Sequence, residues 1–468
     1  MNDAQFQQWL AIPSNFRCHL VEVDYLDQGE LKTLYLSDSP FQSVATDTPP
    51  HMPYNDVIID EITLGQRLDE IFYGRTTTIR STLKFLSTEF VSNLLSYDVE
   101  GQQVRIYLGD PSWPKSDFQL IAQWFAQDIE PDGNNYNIPL LDATYALDVS
   151  ICSTYEDGIA EGKSIPRVFG TVFNAEPVLI DELGDGTYQI NDGAITSLTV
   201  FDGGLAVPAI VDYETGIFTL NTQAQGRITC NVIQADNTCF SIVNSLLTES
   251  EISAKQGTFS AVPSYEMGAY INDSTTRRDL IDDACVSAGF AWCINSNNEF
   301  KTIKFNGLTG SGVALLTDDD IDPDSFTVTR RVLSVPAVNV HYAKNYTVQP
   351  DGLFGAVSTA NRELLSKEYS VVSAKNADVA TKHANYPEIN AYTLLVQKAD
   401  AQSEATRRAA LNTRIRKIYS MKAYGAAITF TVGDEINTEF VQDLGNTCLV
   451  IANEATPALG LAVIEIIQ

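Results

Sequence analysis

Positive charge is scarce in this sequence. Thirty lysines and arginines stand against sixty aspartates and glutamates, a formal net charge of −30 over 468 residues. A surface this acidic repels nucleic-acid phosphates and anionic lipid headgroups, which excludes sequence-specific nucleic-acid binding. A channel that DNA slides through without adhering stays open, because repulsion suits it. No run of eighteen apolar residues occurs, so neither a transmembrane helix nor a stable membrane anchor is expected. The start, Met1-Asn2-Asp3-Ala4-Gln5-Phe6, lacks the basic and long apolar regions of a secretory leader, which points to synthesis in a cytoplasm. The seven cysteines are odd in number and scattered, with no Cys-x-x-Cys pair. They do not read as a secreted disulfide framework, and reduced, buried thiols are the expectation.

Histidine is rarer still: His19, His51, His341 and His383. None sits in a His-Glu-x-x-His helix or beside a Gly-x-Ser-x-Gly elbow, and no Walker A loop occurs. His19 and His341 fall in strand-like runs, where a packed ring is the ordinary role. Asp202-Gly203-Gly204 and Gly184-Asp185-Gly186 look like hairpin turns, not phosphate cradles. Thr317–Ser325 carries Asp318, Asp319, Asp320, Asp322 and Asp324, enough hard oxygen for calcium. It lacks the glycine and closing glutamate of an EF-hand loop and reads as a solvated acidic linker. The spacing of Cys230 with Cys239 and of Cys285 with Cys293 allows a four-thiolate cluster. Cys285 on an apolar helix face and Cys230 in a strand are equally good core positions. Trp113 and Trp124 offer either packing or an aromatic platform for sugar. No catalytic, cofactor or metal residue is assigned, and no enzymatic activity is expected.

Apolar residues make up 44% of the chain, and only 19% are charged against the usual ~25%. That is ample core material for about three domains. Alternating stretches at Cys18–Tyr25, Lys32–Leu36, Asp56–Leu64, Gln102–Leu108 and Ala426–Val432 predict half-buried strands, separated by turn clusters such as Asp47-Thr-Pro-Pro and Pro131-Asp-Gly-Asn. The fold class is mainly β. Two helices interrupt it. One starts near Thr276, where Asp279 completes a capping-box spacing, and places Leu280, Ile281, Ala284, Cys285 and Ala288 on one face before Gly289. The strands Phe290–Ile294 and Phe300–Phe305 follow it, making a small α/β unit. The second is expected from Ala399 to Lys422. Against Asp400 and Glu404 it holds Arg407, Arg408, Arg414, Arg416, Lys417 and Lys422, so six bases against two acids leave +4. Those bases form either a solvated face or a docking site for an acidic neighbouring subunit, with Arg407, Arg408, Arg414, Arg416 and Lys417 the contact candidates. Boundaries are expected near 155, 236 and 316. These delimit an N-terminal β-domain (1–155), a β-rich domain (156–236), the α/β domain (237–316) and a C-terminal β-domain with the long helix (317–468).

Ile165-Pro-Arg-Val-Phe-Gly-Thr-Val-Phe-Asn-Ala-Glu-Pro-Val-Leu-Ile-Asp resembles a segment of long-tailed bacteriophage tail proteins. Thr187-Tyr-Gln-Ile-Asn-Asp-Gly-Ala-Ile, Val200-Phe-Asp-Gly-Gly, Gly216-Ile-Phe-Thr-Leu and Gly226-Arg-Ile-Thr-Cys-Asn-Val keep the same order. The helix–hairpin at Thr276–Phe305 is similar to the small α/β domain of tail-tip and baseplate hubs. Ala401–Lys417 followed by Phe430-Thr-Val-Gly-Asp-Glu-Ile resembles their closing helix and strand. The resemblance runs from Ile165 to the C-terminus. It implies a hub with two tube-like β-barrel or sandwich domains, one in the N-terminal third and one after Asp324, with the α/β unit decorating a ring. It implies a homotrimer in the virion tail tip, assembled in the bacterial host cytoplasm and without a cofactor. Its partners would be a tail tube or distal tail protein and a central spike or tail fibre protein. It would match a sixfold tube to a threefold tip around a DNA channel. A hexameric distal tail ring protein, a receptor- or glycan-binding tail module and a peptidoglycan-cleaving fusion are the competing readings. The last would need a His or Glu constellation that the sequence does not supply.

Overall fold

Strands dominate the computed structural model, which describes residues 3–12, 14–70, 74–79, 81–88, 94–182, 186–295, 297–305, 308, 312, 314–383, 385–439 and 447–468. The chain is mainly β, with a small α/β unit. Two large sheets frame it. A nine-stranded sheet runs in the order Glu130–Asp132, Asn135–Leu141, Gln119–Ala126, Gln103–Gly109, Cys18–Asp27, Glu30–Ser37, Pro53–Asp56, Phe41–Gln42, with Thr82–Leu86 pairing on Asn135–Leu141. Its inner positions alternate as the sequence does: Val21, Val23, Val104, Ile106, Ile138 and Leu140 share one core with Trp124. A ten-stranded sheet runs Phe300–Lys304, Phe290–Ile294, Gly74–Ile79, Leu64–Leu68, Thr447–Thr456, Leu461–Ile467, Arg416–Tyr424, Thr327–Val332. Leu315–Leu316 and Glu435–Thr438 lie off this path.

The N-terminal third therefore contributes to both sheets: Leu64–Leu68 pairs antiparallel with Thr447–Thr456, with Gln66 opposite Asn453. This corrects the strand expected at Asp56–Leu64. Only Pro53–Asp56 and Leu64–Leu68 are strands, and the chain between them crosses from one sheet to the other. Its apolar residues, Val57, Ile58 and Ile62, pack into the first sheet's core on the way. Alternation there records burial along a crossing that meets Thr82–Leu86 at a single bridge, Ile58 opposite Phe85, and not a continuous ladder. Ala426–Val432 is corrected likewise. It begins with the 3-10 turn Gly425–Thr429, whose buried carbonyls at Ala427 and Phe430 accept from the Asn453 amide instead of from a neighbouring strand.

Two smaller sheets, of five and four strands within residues 167–271, enclose a separate core around Val172, Phe218, Cys230 and Val232. The hairpin Ser197–Asp202 to Leu205–Val207 turns on Gly203 and Gly204, at φ 53° and 83°. Both central residues of this tight turn need positive φ, which the glycine pair supplies. Gly184 and Asp185, the other expected turn, lie outside the described residues.

The α/β unit lies where it was expected. Helix Arg277–Ala288 is capped by Thr276, whose hydroxyl accepts from the Asp279 amide, while Asp279 accepts from the Thr276 amide. It ends at Gly289 at φ 80° and is followed by Phe290–Ile294 and Phe300–Lys304. It does not simply decorate a sheet. Phe290–Ile294 is buried along its length and pairs parallel with Gly74–Ile79, so the hairpin extends the ten-stranded sheet. The last correction concerns the long helix. It spans Lys398–Leu411, and Arg416–Tyr424 is a strand antiparallel to Leu461–Ile467. Leu411, Ile415 and Ile418 fit a helical period, but Ile418, Tyr419, Met421 and Ala423 are buried between sheet neighbours, and that packing decides the outcome. Among the described residues, no helix is long and apolar enough to cross a membrane.

Candidate functional site

The helix Lys398–Leu411 carries the charged cluster read from the sequence, and the structure divides it. Glu404 and Arg408 are 0% and 1% exposed. Arg408 Nε donates to Glu404 Oε1 at 2.6 Å, and its Nη2 donates to the Val286 carbonyl. Arg407 donates from Nε and Nη2 to the same carboxylate, at 2.8 and 2.7 Å, and from Nη1 to the Phe305 carbonyl at 2.9 Å. The result is a buried Arg–Glu–Arg triad that locks the helix onto the α/β unit. Gly289 closes it: a Cβ there would lie 2.1 Å from Arg407 Nη2, so this position needs glycine for both its backbone and its neighbour. Arg416 turns inward too, donating to the Gln468 carbonyl at 2.9 Å and the Leu411 carbonyl at 3.3 Å. Of the five contact candidates, Arg407, Arg408 and Arg416 are thus engaged within the chain. Arg414 and Lys417 are exposed.

Arg414 and Lys417 flank a surface that sequence reasoning missed. Among the described residues, Thr327–Val332 forms the outer strand of the ten-stranded sheet and pairs only with Arg416–Tyr424, placing Arg331 directly opposite Lys417. Arg330 and Arg331 are exposed, and Val328 beside them is 50% exposed. Among the described residues, no acidic side chain pairs with Arg330, Arg331, Arg414 or Lys417. Two adjacent bases inside an alternating run, Thr327-Val-Thr-Arg-Arg-Val, were the available signal.

The nine-stranded sheet carries the opposite arrangement. Glu22 and Arg105 are cross-strand partners. Arg105 donates to Glu22 at 3.0 Å and grips Asp24 through both terminal nitrogens at 2.7 Å, and Tyr54 donates to Glu22 at 2.7 Å. Burial opposes the Glu22 charge, but Lys115, Tyr54 and Arg105 outweigh it and hold the carboxyl below its ordinary pKa. Burial also opposes the Asp24 charge and is outweighed by Arg105 and Thr33.

The remaining sequence candidates form no common site. Cys239 and Cys285 share one core, Cys230 lies in a second and Cys293 in a third, so the four thiols do not converge. Among the described residues, no three His, Cys, Asp or Glu side chains come together as a metal site requires. His19 is 1% exposed, with Nδ1 2.8 Å from Asp38. His341 stacks on Tyr392 at 4.3 Å. Trp124 is 7% exposed within the nine-stranded sheet, and Trp113 packs on Trp9 at 4.7 Å in another cluster, so the two form no shared platform. The acids of Thr317–Ser325 cap turns: Asp320 accepts from the Thr317 amide and Asp322 from the Asp324 amide. A cavity of about 560 Å³ is lined by residues of both large sheets, among them Trp124, Asp142, Lys301 and Asp434. Burial pushes the Cys293 thiol in its wall up to about 11, so the sulfur stays protonated at neutral pH.

No family model and no curated protein matches the sequence. Solved structures do align. A tail protein from Neisseria meningitidis MC58 aligns at 8% identity over 97% of each chain, with a TM-score of 0.43. The 43 kDa tail protein of prophage MuSo2 from Shewanella oneidensis aligns at 10% identity over 96% of this chain and 98% of that one, TM-score 0.41. Prophage tail protein gp18 from Listeria monocytogenes EGD-e aligns at 10% identity over 96% and 94%, TM-score 0.45. Over nearly its whole length the chain aligns with these three tail proteins, two of them from prophages.

Proposed function

We propose that this chain is a structural protein of a bacteriophage tail, the hub that joins a sixfold tube to a threefold tip. The observation that carries the reading is that one chain supplies two large, mainly antiparallel sheets, tied together by strands 64–68 and 74–79. Three copies then present six sheets around an axis. The ordered segments from Ile165 onward, which resemble tail proteins, and the excess of thirty acids support the same reading. A passage for DNA must repel phosphate to let it move. In this role the chain acts by shape and charge in the virion tail, with a tube or distal tail protein on one side and a spike or fibre protein on the other. The test is native mass together with negative-stain images of the purified chain. A threefold ring of three 51.4 kDa subunits is the expected result. A six-membered ring would instead make it a distal tail protein.

A further inference from the structure

We infer that the outer strand Thr327–Val332, with Arg330, Arg331, Arg414 and Lys417, is a docking strip for an acidic sheet edge of a second copy of this chain. The inference deepens the ring reading above and rests on it. Three observations lead to it. Among the described residues the strand's outer side is unpaired, leaving a row of backbone donors and acceptors facing outward. Arg331 and Lys417 stand directly opposite each other, and like charges in that relation repel. Arg330 adjoins Arg331 and stands opposite Ile418, and Arg414 lies three residues before Lys417; these four bases have no acidic partner among the described residues, in a molecule with twice as many acids as bases. Such a strip is stabilised when a carboxylate surface covers it.

A second copy supplies that surface. The outermost strand of the nine-stranded sheet is Glu130–Asp132, preceded by exposed Asp128. Among the described residues it pairs only with Asn135–Leu141; all three of its residues are exposed, and Asp132 accepts from Lys84 Nζ at 3.1 Å, which leaves Glu130 and Asp128 as its open carboxylates. Pro131 removes one backbone donor from this edge, so charge and not a continuous ladder sets the match. A basic edge on one sheet and an acidic edge on the other make a head-to-tail contact, the kind that closes into rings.

Bases on an outer strand also serve as a guard against edge-to-edge aggregation. The two roles predict opposite responses. If the strip docks, R330A/R331A and R331E/K417E weaken self-association by about tenfold or more while the melting temperature is unchanged, and added salt weakens the wild-type assembly as screening shortens to about 3 Å near 1 M. E130K/D132K mixed with R331E/K417E restores association that neither variant shows alone. Sedimentation velocity reads all of these. Association unchanged or increased in R330A/R331A overturns the docking strip, yet leaves the hub standing if the wild type still forms rings. Failure of the charge swap overturns the assignment of Glu130–Asp132 as the acidic edge. A wild-type chain that stays monomeric at every salt concentration overturns the second-copy contact outright.

Discussion

At Glu404 one buried carboxylate holds the buried Arg408 guanidinium and the partly buried Arg407 one, and the worth of the arrangement lies in its completeness. Removing the acid takes away the carboxylate that both guanidinium groups share, and breaking a buried pair costs about 3–5 kcal/mol. Glu404→Gln is therefore expected to lower the denaturant midpoint sharply, and more than Arg407→Gln, whose side chain is only partly buried. Gly289→Ala is expected to cost more than the ~1–2 kcal/mol of a left-handed backbone, because the new methyl also displaces Arg407. The Glu22–Asp24–Arg105 network makes a pH prediction. Both carboxyls titrate below their unfolded values, so the unfolded chain binds protons first as pH falls. The stabilisation is complete above about pH 5 and is lost as pH drops through the folded values. Arg105→Met should destabilise strongly at pH 7 and much less near pH 2, measured as the difference in urea midpoint between variant and wild type.

Among the elements, the helix Arg277–Ala288 was legible because its signals are local. A threonine cap, an aspartate three residues on, an apolar face and a terminal glycine act within a few turns of chain. Thr276→Ala is expected to cost about 1 kcal/mol, read from thermal unfolding. The strand Arg416–Tyr424 was not legible. Its apolar spacing suits a helix as well as a sheet, and only the long-range partners Leu461–Ile467 and Thr327–Val332 decide between them. Pairing residues nearly ninety positions apart leaves no local trace. The same reason hid the proposed docking strip: Arg331 and Lys417 became neighbours only when their strands joined. The buried triad was half visible, since the bases stood out while the fate of Glu404 depended on the distant Val286 and Phe305 carbonyls.

For the whole molecule, charge governs behaviour with nucleic acid. A chain of −30 is expected to bind duplex DNA no tighter than about millimolar at physiological salt, weaker than ordinary nonspecific binding, as measured by fluorescence anisotropy. Strands Leu64–Leu68 and Gly74–Ile79 belong to the ten-stranded sheet while the strands before and after them in sequence belong to the nine-stranded one, so cutting the chain between the two sheets should not yield an independent C-terminal domain. A fragment starting at residue 317 lacks Leu64–Leu68, Gly74–Ile79 and the hairpin Phe290–Lys304 from its ten-stranded sheet. It is expected to be insoluble or molten, judged by near-ultraviolet circular dichroism.

Composition and local pattern alone determined the mainly β class, the acidic surface, the capped helix with its hairpin and the glycine turn at 203–204, because each depends on residues close in sequence or on sums over the chain. The tertiary structure alone decided which arginines face inward, that the four candidate thiols divide among three cores, and that an N-terminal segment completes the C-terminal sheet. Those outcomes depend on contacts between residues far apart in the chain, whose loop-closure entropy is offset only when the whole core assembles.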